Sequence, residues 1–329
     1  MNIDLSIVIP IFNEAAGLDS LFARLYPALD KLAREFSLNY ELILIDDGSR
    51  DQSPAMLREQ FTKRPDVTRV VLLAVNAGQH MAIKAGFEVT RGTTVVTLDA
   101  DLQNPPEEIG KLVAKNNEGY DYVGGYRRER QDSAFRKYPS RLLNRIRERT
   151  TRIRMRDQGC MLRAYSRPII DAINHSNEVN LYIPALAFIY ARNPTDVEVA
   201  HEERAAGESK YPLSKLIRLN FDLMTGFSLM PLQMFSMIGM ITAIISTAAF
   251  IFLAIRRMLH GVDADGVFTL FSFTFMLLGV ALFGMGLLGE YIGRIYQQVQ
   301  SRPRYLIQAI LEQKSTDATP ATTTSITHS

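Results

Sequence analysis

Oxygen-bearing side chains alternate in the segment that follows a run of β-branched residues, Thr93–Thr97. If strand geometry continues, Asp99, Asp101 and Gln103 project to the same side. Carboxylate and amide oxygens are suitable ligands for Mg²⁺ or Mn²⁺. Water and substrate phosphates usually complete the coordination shell of such an ion. Such an ion would offset the charge that grows on a departing phosphate group. Two aspartates separated by one residue also occur often in loops that bind no metal. The metal interpretation therefore needs a second acidic group nearby.

A second acidic group follows another apolar run, in the sequence Asp46-Asp47-Gly48-Ser49. One alternative is a plain turn, because Asp, Gly and Ser favour turns. The other is a carboxylate that accepts a hydrogen bond from a nucleobase N–H or a ribose hydroxyl. Neither G-x-G-x-x-G nor G-x-x-x-x-G-K-[ST] occurs at these turns, which argues against a dinucleotide dehydrogenase and a P-loop NTPase. Phosphate binding would then fall to a metal ion and to basic side chains.

Short apolar runs alternate with amphipathic stretches over roughly the first 125 residues. The pattern predicts strands at Leu5–Ile11, Glu41–Ile45, Val67–Val75, Thr94–Leu98 and Tyr120–Gly124. It predicts helices at Leu18–Phe36, Pro54–Thr62, Gln79–Val89 and Pro106–Asn117. This alternation indicates an α/β fold with a mainly parallel sheet covered by helices. Ligands of such sheets bind beyond the carboxyl ends of the strands, where both acidic groups are expected.

The segment from Arg127 to Arg156 is strongly basic, with eleven Arg and one Lys against three acidic residues, a local net charge of +9. One interpretation is a solvated helix face, since basic runs are often nonspecific. We favour anionic lipid headgroups or a phosphorylated lipid as partners, and we do not expect nucleic acid. The preference depends on the apolar stretches further along the chain.

Two long stretches lack charged residues, Leu223–Ile255 and Gly266–Gly289. A bilayer core of ~30 Å requires roughly 20 apolar residues in a helix, so each stretch is long enough to cross it. The alternative, buried helices of a soluble protein, usually involves shorter runs. The short link predicts a two-helix hairpin. Lys and Arg flank its outer ends while the link offers only Arg256 and Arg257, which predicts that both ends are cytoplasmic.

The sequence therefore divides into four parts. We expect a cytoplasmic domain over residues 1–210, an amphipathic interfacial helix over 211–228, two transmembrane helices over 229–295, and a cytoplasmic segment over 296–329 that ends in a disordered tail. The whole chain has 329 residues and a net charge of +2, which excludes a purely acidic or basic tail-type protein. Its single cysteine, Cys160, excludes a disulfide scaffold and a cysteine-based zinc cluster.

Taken together, these features resemble the family-2 inverting glycosyltransferases, which have a nucleotide-sugar-binding GT-A fold. Three stretches carry the resemblance in chain order, Val8–Glu14 (VIPIFNE), Asp46–Ser49 (DDGS) and Asp99–Asp101 (DAD). Further stretches are similar to the polyprenyl-phosphate branch of that family, which ends in a two-helix membrane anchor: Leu98–Ile109 (LDADLQNPPEEI), Gly159–Tyr165 (GCMLRAY), Gly207–Tyr211 (GESKY) and Gly284–Tyr296 (GMGLLGEYIGRIY). The resemblance implies a Rossmann-like GT-A domain followed by a transmembrane hairpin.

The resemblance also implies roles for individual residues. Nucleotide contacts are expected from Pro10, Phe12, Asn13, Glu14, Asp47, Asn76, Gly78 and Asp99. Metal contacts, to Mg²⁺ or Mn²⁺, are expected from Asp99, Asp101 and Gln103. Contacts to the phosphate groups of the donor or the lipid acceptor are expected from Arg127, Arg136, Ser140, Arg204 and Lys210. The guanidinium fork of Arg suits phosphate well, while Lys acts as a point charge.

Asp157 and Asp101 occupy the positions of the family's candidate catalytic carboxylates. The acceptor would be a phosphate monoester whose second pKa is about 6, so it is largely dianionic at neutral pH and hardly needs a base. We therefore expect Asp157 to orient the arginine cluster or accept a residual proton.

The activity that the resemblance implies is transfer of a sugar from a UDP-sugar to undecaprenyl phosphate, with inversion, at the bacterial inner membrane. The expected sugar is 4-deoxy-4-formamido-L-arabinose, which would serve lipid A modification and resistance to cationic peptides. The alternatives are glucosyl or other hexosyl transfer and, from a different class, a non-catalytic membrane protein that binds nucleotide sugars. Gly289 and Gly293 would permit close helix packing in a homo-oligomer such as a tetramer.

Overall fold

A computed structural model describes residues 3–127, 155–157, 159–176, 182–202, 230–260, 266–299 and 303–313. Four of the predicted phosphate-binding residues lie outside this part of the chain, namely Arg136, Ser140, Arg204 and Lys210. The predicted interfacial helix over 211–228, most of the basic segment and the predicted tail from 315 onward also lie outside it.

Eight strands form one mixed sheet. They are β1 (Leu5–Ile11), β2 (Tyr40–Asp46), β3 (Thr68–Leu73), β4 (Thr94–Thr97), β5 (Tyr122–Arg127), β6 (Arg163–Ser166), β7 (Pro194–Val199) and β8 (Ile307–Leu311). Their order across the sheet is β7-β5-β6-β4-β1-β2-β3-β8. Strands β4, β1, β2 and β3 run parallel, as predicted, whereas β6 is antiparallel to both of its neighbours and β8 is antiparallel to β3.

Helices cover both faces of the sheet. They are α1 (Ala15–Phe36), α2 (Ser53–Lys63), α3 (Gln79–Val89), α4 (Ile109–Asn117), α5 (Arg167–His175) and α6 (Ile183–Tyr190), with a 3₁₀ turn at Pro106–Glu108. Successive residues of β1 point to opposite faces, so Ile7 and Ile9 pack with α1 and α4 while Val8 packs with α3, α5 and α6. Burial on both faces explains why the strands have continuous apolar sequences rather than alternating ones.

Two long helices follow, α7 (Met230–His260) and α8 (Gly266–Val299). They meet where the ring of Phe235 packs against that of Phe283, with ring centroids 5.6 Å apart, and against Gly284. By length and composition, one stretch among the described helices is apolar enough to cross a membrane, Met276–Gly293 in α8. A shorter apolar stretch lies in α7, at Leu232–Thr242. The predicted pair of spans is thus supported for the second helix and only in part for the first.

Strand β8 has no counterpart in the sequence prediction, and it lies after the two long helices. The chain returns from α8 to the edge of the sheet, where β8 pairs with β3. The Glu312 carboxylate, just beyond β8, accepts hydrogen bonds of 2.7 Å from both Arg69 and Arg91. A C-terminal segment therefore completes the sheet of the N-terminal domain.

Candidate active site

The carboxyl ends of β1, β2 and β3 enclose a groove of about 660 Å³. One wall is apolar and contains the end of β3, and the other carries polar groups from the loops after β1 and β2. The groove is lined by Phe12, Asn13, Asp46, Gly48, Ser49, Arg50, Pro54, Arg58, Leu72, Leu73, Ala74, Val75, Asn76 and Gln308. Three of the predicted site residues line this groove, Phe12, Asn13 and Asn76, and the groove lies where an open α/β sheet binds ligands.

The loop after β1 is held in position by the loop after β2. Asn13 adopts a left-handed backbone conformation (φ 54°), and its N–H donates to the Ser49 hydroxyl at 2.9 Å. Its side-chain oxygen accepts from the Arg50 N–H, also at 2.9 Å. These bonds present Phe12, whose side chain is 44% exposed, to the groove. Pro10 lies two residues earlier, inside β1, where it pairs with Ile45 of β2. It is not among the residues that line the groove.

Asp47 acts as a clamp on the loop after β3. Its buried carboxylate accepts hydrogen bonds from the Asn76 side chain (2.9 Å), the Ala77 N–H (2.7 Å) and the Gly78 N–H (3.0 Å). Burial raises the pKa of Asp47, and the hydrogen bonds from Ala77 and Gly78 oppose that rise. The Asp47 side chain thus stabilises the conformation of the loop after β3, and it does not line the groove. Asn76, by contrast, does line it.

Asp46 is the acidic residue of this pair that lines the groove. Its Oδ2 accepts from the Ser49 N–H at 3.3 Å, while its buried Oδ1 has no hydrogen-bond partner among the described residues. Burial raises the pKa of Asp46, despite the hydrogen bond from Ser49. A buried carboxylate oxygen without a donor is costly, so the site is suited to a ligand N–H or O–H. The sequence analysis assigned the nucleotide contact to Asp47, although the neighbouring Asp46 in the same Asp-Asp pair was an equally available candidate.

Gly48 is required where these loops touch. Its φ is +68°, and a Cβ at this position would lie 2.6 Å from the backbone nitrogen of Asn76 and from the carbonyl carbon of Val75. Only glycine avoids both the strained conformation and the overlap. The loops after β2 and β3 can therefore close together beside the groove.

The segment after β4 does not continue as an extended strand, contrary to our expectation. Strand β4 ends at Thr97, the residues after Asp99 form a turn, and Leu102 has a left-handed φ of 58°. Asp101 Oδ1 accepts from the Gln103 N–H at 3.1 Å, which explains the turn, because an aspartate readily caps the backbone two residues on. The strand alternation on which the sequence argument relied is therefore absent after Thr97, and any shared use of Asp99, Asp101 and Gln103 depends on the geometry of the turn.

Asp99 is oriented by the start of α3, where the Gln79 side-chain amide donates to its Oδ1 at 2.7 Å. Among the described residues, no group of three or more His, Cys, Asp or Glu forms a ready-made metal cage. The donors present, two carboxylates on one turn, fit an ion of the Mg²⁺ type, which binds one or two carboxylates and takes its other ligands from substrate phosphates and water. The turn therefore suits a metal that binds together with a phosphorylated ligand.

Arg127 and Asp157 form a two-point ion pair near this turn. The guanidinium donates from Nε to Oδ2 at 2.6 Å and from Nη2 to Oδ1 at 3.0 Å, and both side chains are mostly buried. The Gly159 N–H also donates to Asp157 Oδ1, at 2.9 Å. Hydrogen bonding to Asp157 raises the pKa of Arg127, and the nearby charge of Asp99 contributes to the rise. A permanently charged guanidinium is thus held close to the acidic turn.

Arg163 supports that ion pair and was missed by the sequence analysis. It is fully buried in β6, and its guanidinium donates to the backbone carbonyls of Cys160 (2.8 Å) and Asp157 (2.7 Å) and to the Tyr122 hydroxyl. Its fork fixes the loop that carries Asp157. The signal was available in the sequence, since an arginine inside a short apolar strand must find internal partners.

Glu202 lies beside the turn that carries Asp99 and Asp101. The Glu202 N–H donates to the Gln103 carbonyl at 2.9 Å, and Arg24 bonds the carboxylates of both Glu202 and Glu107. Arg204 and Lys210, predicted to contact phosphate, follow Glu202 in the sequence and lie outside the described residues. Their phosphate-binding role stays a prediction.

Comparisons with known proteins identify the family. The model of "Glycosyl transferase family 2" matches residues 6–173. A protein of Shewanella sediminis, "Undecaprenyl-phosphate 4-deoxy-4-formamido-L-arabinose transferase", is 50% identical over 96% of this chain and 95% of its own. A protein of the same description from Aeromonas hydrophila is also 50% identical, over 94% of this chain and 95% of its own.

Solved structures are more distant. A glucosyl-3-phosphoglycerate synthase from Mycobacterium tuberculosis is 18% identical, with a TM-score of 0.46 over 68% of this chain and 78% of its own. A mannosyltransferase from Pyrobaculum calidifontis is 15% identical, with a TM-score of 0.45 over 89% of this chain and 88% of its own. Because the family model spans half of the sequence and relatives are half identical along almost all of it, the chain belongs to glycosyl transferase family 2, with the GT-A fold predicted for it.

Proposed function

We propose that this glycosyltransferase transfers 4-deoxy-4-formamido-L-arabinose from a UDP-sugar to undecaprenyl phosphate, with inversion at the anomeric carbon. The names of relatives that share half of its residues support the sugar and the acceptor. The observation that carries the chemistry is the juxtaposition of the Arg127–Asp157 ion pair with the acidic turn at Asp99, beside a groove of nucleotide size. The product would serve lipid A modification and resistance to cationic peptides.

The donor nucleoside would lie in the groove at the ends of β1, β2 and β3. Asp46 has an acceptor oxygen for which the described part of the chain supplies no donor, and this oxygen suits the N3–H of uracil, whereas cytosine has no hydrogen at N3. Phe12 offers an exposed ring against which the base can stack. Asn13 and Asn76 complete the polar wall. In this arrangement Asp47, Gly78, Glu14 and Pro10 shape the loops rather than touch the base.

The donor diphosphate would lie at the turn after β4, with Asp99 and Asp101 holding Mg²⁺ or Mn²⁺ and Gln103 close by. A bound cation would offset the charge that develops on the departing UDP. Gln79 fixes the orientation of the Asp99 carboxylate before any ligand binds. This order in advance of binding lowers the entropic cost of assembling the site.

The acceptor phosphate would meet Arg127, with Arg136, Ser140, Arg204 and Lys210 as further contacts. Asp157 uses both carboxylate oxygens on Arg127, which favours a positioning role for it. The acceptor is already dianionic near neutral pH, so attack on the anomeric carbon needs no strong base. The pair thus holds a fixed positive charge where the nucleophile must approach.

Membrane attachment would come from α7 and α8, with the catalytic domain on the cytoplasmic side of the inner membrane. Many large apolar side chains of these helices are exposed, including Ile244, Phe252, Phe283 and Met285. Water would penalise this surface, whereas lipid would not. The four-part division at 210, 228 and 295, the interfacial helix, a membrane span by α7 in addition to that of α8, and a tetrameric assembly are part of this proposal.

Transfer assays with purified full-length protein test the proposal. The protein in lipid nanodiscs is incubated with undecaprenyl phosphate, Mg²⁺ or Mn²⁺, and either the UDP-linked formamido-arabinose or UDP-glucose, and the lipid product is identified by mass spectrometry. We expect the formamido-arabinosyl lipid. Turnover with UDP-glucose alone would instead support the hexosyl alternative, and UDP-sugar binding without any transfer would support the non-catalytic one.

A further inference from the structure

Strand β8 brings a residue from the C-terminal part of the chain to the groove. The Ala74 N–H donates to the Leu306 carbonyl at 2.8 Å, and antiparallel pairing with β3 follows up to Val70 and Leu311. Gln308, in the middle of this strand, lines the same groove as Phe12 and Asp46. The sequence motifs assigned no role to it, and it lies well outside the matched family segment of residues 6–173.

A β-bulge lies at Gln308, the residue of β8 that lines the groove. Ile307 pairs with Leu73 and Ala309 pairs with Leu72, so two positions of β8 that are two residues apart face adjacent positions of β3. Gln308 is the extra residue, and its side chain is exposed. Bulges re-aim a side chain without ending the pairing, and they occur often beside active sites. Exposure alternates along the strand, so Gln308 lies on the same exposed side as Leu306 and Ile310, and the register shift falls at the residue that lines the groove.

Both ends of β8 are fastened to the domain, which fixes the bulge. On one side the Tyr305 hydroxyl hydrogen-bonds to the Glu88 carboxylate of α3. On the other side Glu312 bonds the guanidinium groups of Arg69 and Arg91, at 2.7 Å each. A side chain carried by an anchored strand can contribute to binding without paying the entropy of ordering a loop.

The order of strands places Gln308 at the base end of a bound nucleotide. The acidic turn follows β4, on one side of β1, whereas β2, β3 and β8 follow in order on the other side. A nucleoside diphosphate with its diphosphate at Asp99 must therefore extend its base toward β3 and β8. With Asp46 accepting from the base N3–H, an adjacent carbonyl oxygen of the base requires a donor.

We propose that Gln308 is a donor-binding residue, which donates its side-chain amide hydrogen bond to a carbonyl oxygen of the uracil of the UDP-sugar. The inference rests on the proposed function, because it assumes a uridine nucleotide in the groove. It makes the strand that returns from the membrane helices part of the substrate site. Uracil presents an N–H beside a carbonyl, so Asp46 and Gln308 together match one acceptor and one donor to its edge.

Binding measurements on full-length protein in nanodiscs test this inference. Calorimetry with UDP and with inorganic pyrophosphate, each with Mg²⁺, compares wild type with Gln308→Ala, Gln308→Glu and the control Gln313→Ala. Gln313 is an exposed residue of the same type just beyond β8. Loss of one hydrogen bond worth about 1 kcal/mol weakens binding about fivefold. We expect that loss for UDP in Gln308→Ala, a larger loss in Gln308→Glu, and unchanged pyrophosphate binding in both.

The outcomes separate this inference from the proposed function. Unchanged UDP affinity in Gln308→Ala overturns the inference while the transfer activity of the wild type still supports the function. An equal loss of UDP and pyrophosphate binding, or an equal loss in Gln313→Ala, also overturns it, because the effect would then be structural. Failure of the wild-type protein to bind UDP contradicts the proposed function itself.

Discussion

The Arg127–Asp157 pair separates two roles that a carboxylate can play beside a phosphate nucleophile. A general base needs an oxygen directed at the nucleophile, whereas here both oxygens bond the guanidinium. A positioning residue instead fixes where the positive charge lies. The two roles differ in their response to pH, because an acceptor with a second pKa near 6 becomes its own nucleophile as the pH rises.

Asp157→Asn should therefore lower kcat/KM for the lipid acceptor by about 10- to 100-fold, the cost of losing a charge-assisted hydrogen bond, and by a similar factor throughout pH 6–9. Steady-state kinetics across this range provide the measurement. Asp171→Asn, on the exposed face of α5, is the control and should leave the rate unchanged. Complete loss at pH 6 with recovery at pH 9 would mean that Asp157 is an essential base.

Asp46, the residue proposed to bind uracil, lowers the stability of the fold when it is ionised. Since burial raises its pKa in the folded protein, its ionised form destabilises the fold, and this penalty is present at neutral pH and disappears as pH falls below the unfolded value. Asp46→Asn should raise Tm at pH 7 by ~2–4 °C, lose that advantage near pH 4, and weaken UDP binding. Calorimetry at the two pH values measures the first effect, and UDP titration the second.

Asp51 provides a control of opposite sign. Burial alone would raise the pKa of Asp51, but hydrogen bonds from Ser53 and Ala15 lower it. Its ionised form therefore stabilises the fold above the unfolded pKa, and this contribution is lost as pH falls. Asp51→Asn should lower Tm at pH 7. A fall in Tm for Asp46→Asn as well would show that the burial of Asp46 carries no penalty.

Sequence patterns predict the strands and helices whose residues are themselves arranged in apolar runs or amphipathic repeats. Strands β1 to β5 and helices α1 to α4 match their predicted positions within a few residues, because apolar runs and amphipathic stretches alternate there. Strands β6 and β8 have only four and five residues and pair with distant parts of the chain. Their pairing depends on tertiary contacts that no local pattern encodes. The turn after β4 escaped prediction for a related reason, since Asp101 caps the backbone instead of continuing the strand.

Strand β8 should contribute measurably to the stability of the domain. A chain ending at Arg304 loses the pairing with β3 and the contact of Glu312 with Arg69, and it leaves β3 as a bare edge. We expect its Tm to fall by roughly 5–10 °C, corresponding to ~2–3 kcal/mol. A chain ending at Gln313 keeps the strand and is the matched control. Equal Tm values for the two would show that the edge pairing adds nothing.

At the scale of the whole molecule, the sheet of the catalytic domain is completed only after the chain has passed through both long helices. The groove proposed to bind the donor thus includes residues from either side of the apolar segment, Asp46 before it and Gln308 after it. Removal of the helices by truncation at Glu202 would also remove β8. The two parts of the protein are therefore linked by the course of the chain as well as by the proposed chemistry at the membrane surface.

The apolar helices and the basic segment offer two different modes of membrane attachment, and extraction distinguishes them. Attraction between Arg127–Arg156 and anionic headgroups is screened by salt, because the Debye length is only ~3 Å at 1 M. The exposed apolar side chains on α7 and α8, once inserted as proposed, would be held by lipid regardless of salt or pH. We expect the protein to stay with the membrane in 1 M NaCl and in alkaline carbonate and to leave it in detergent, as followed by immunoblotting of the fractions. Release by salt alone would show that the helices do not insert and that surface charge holds the protein at the membrane.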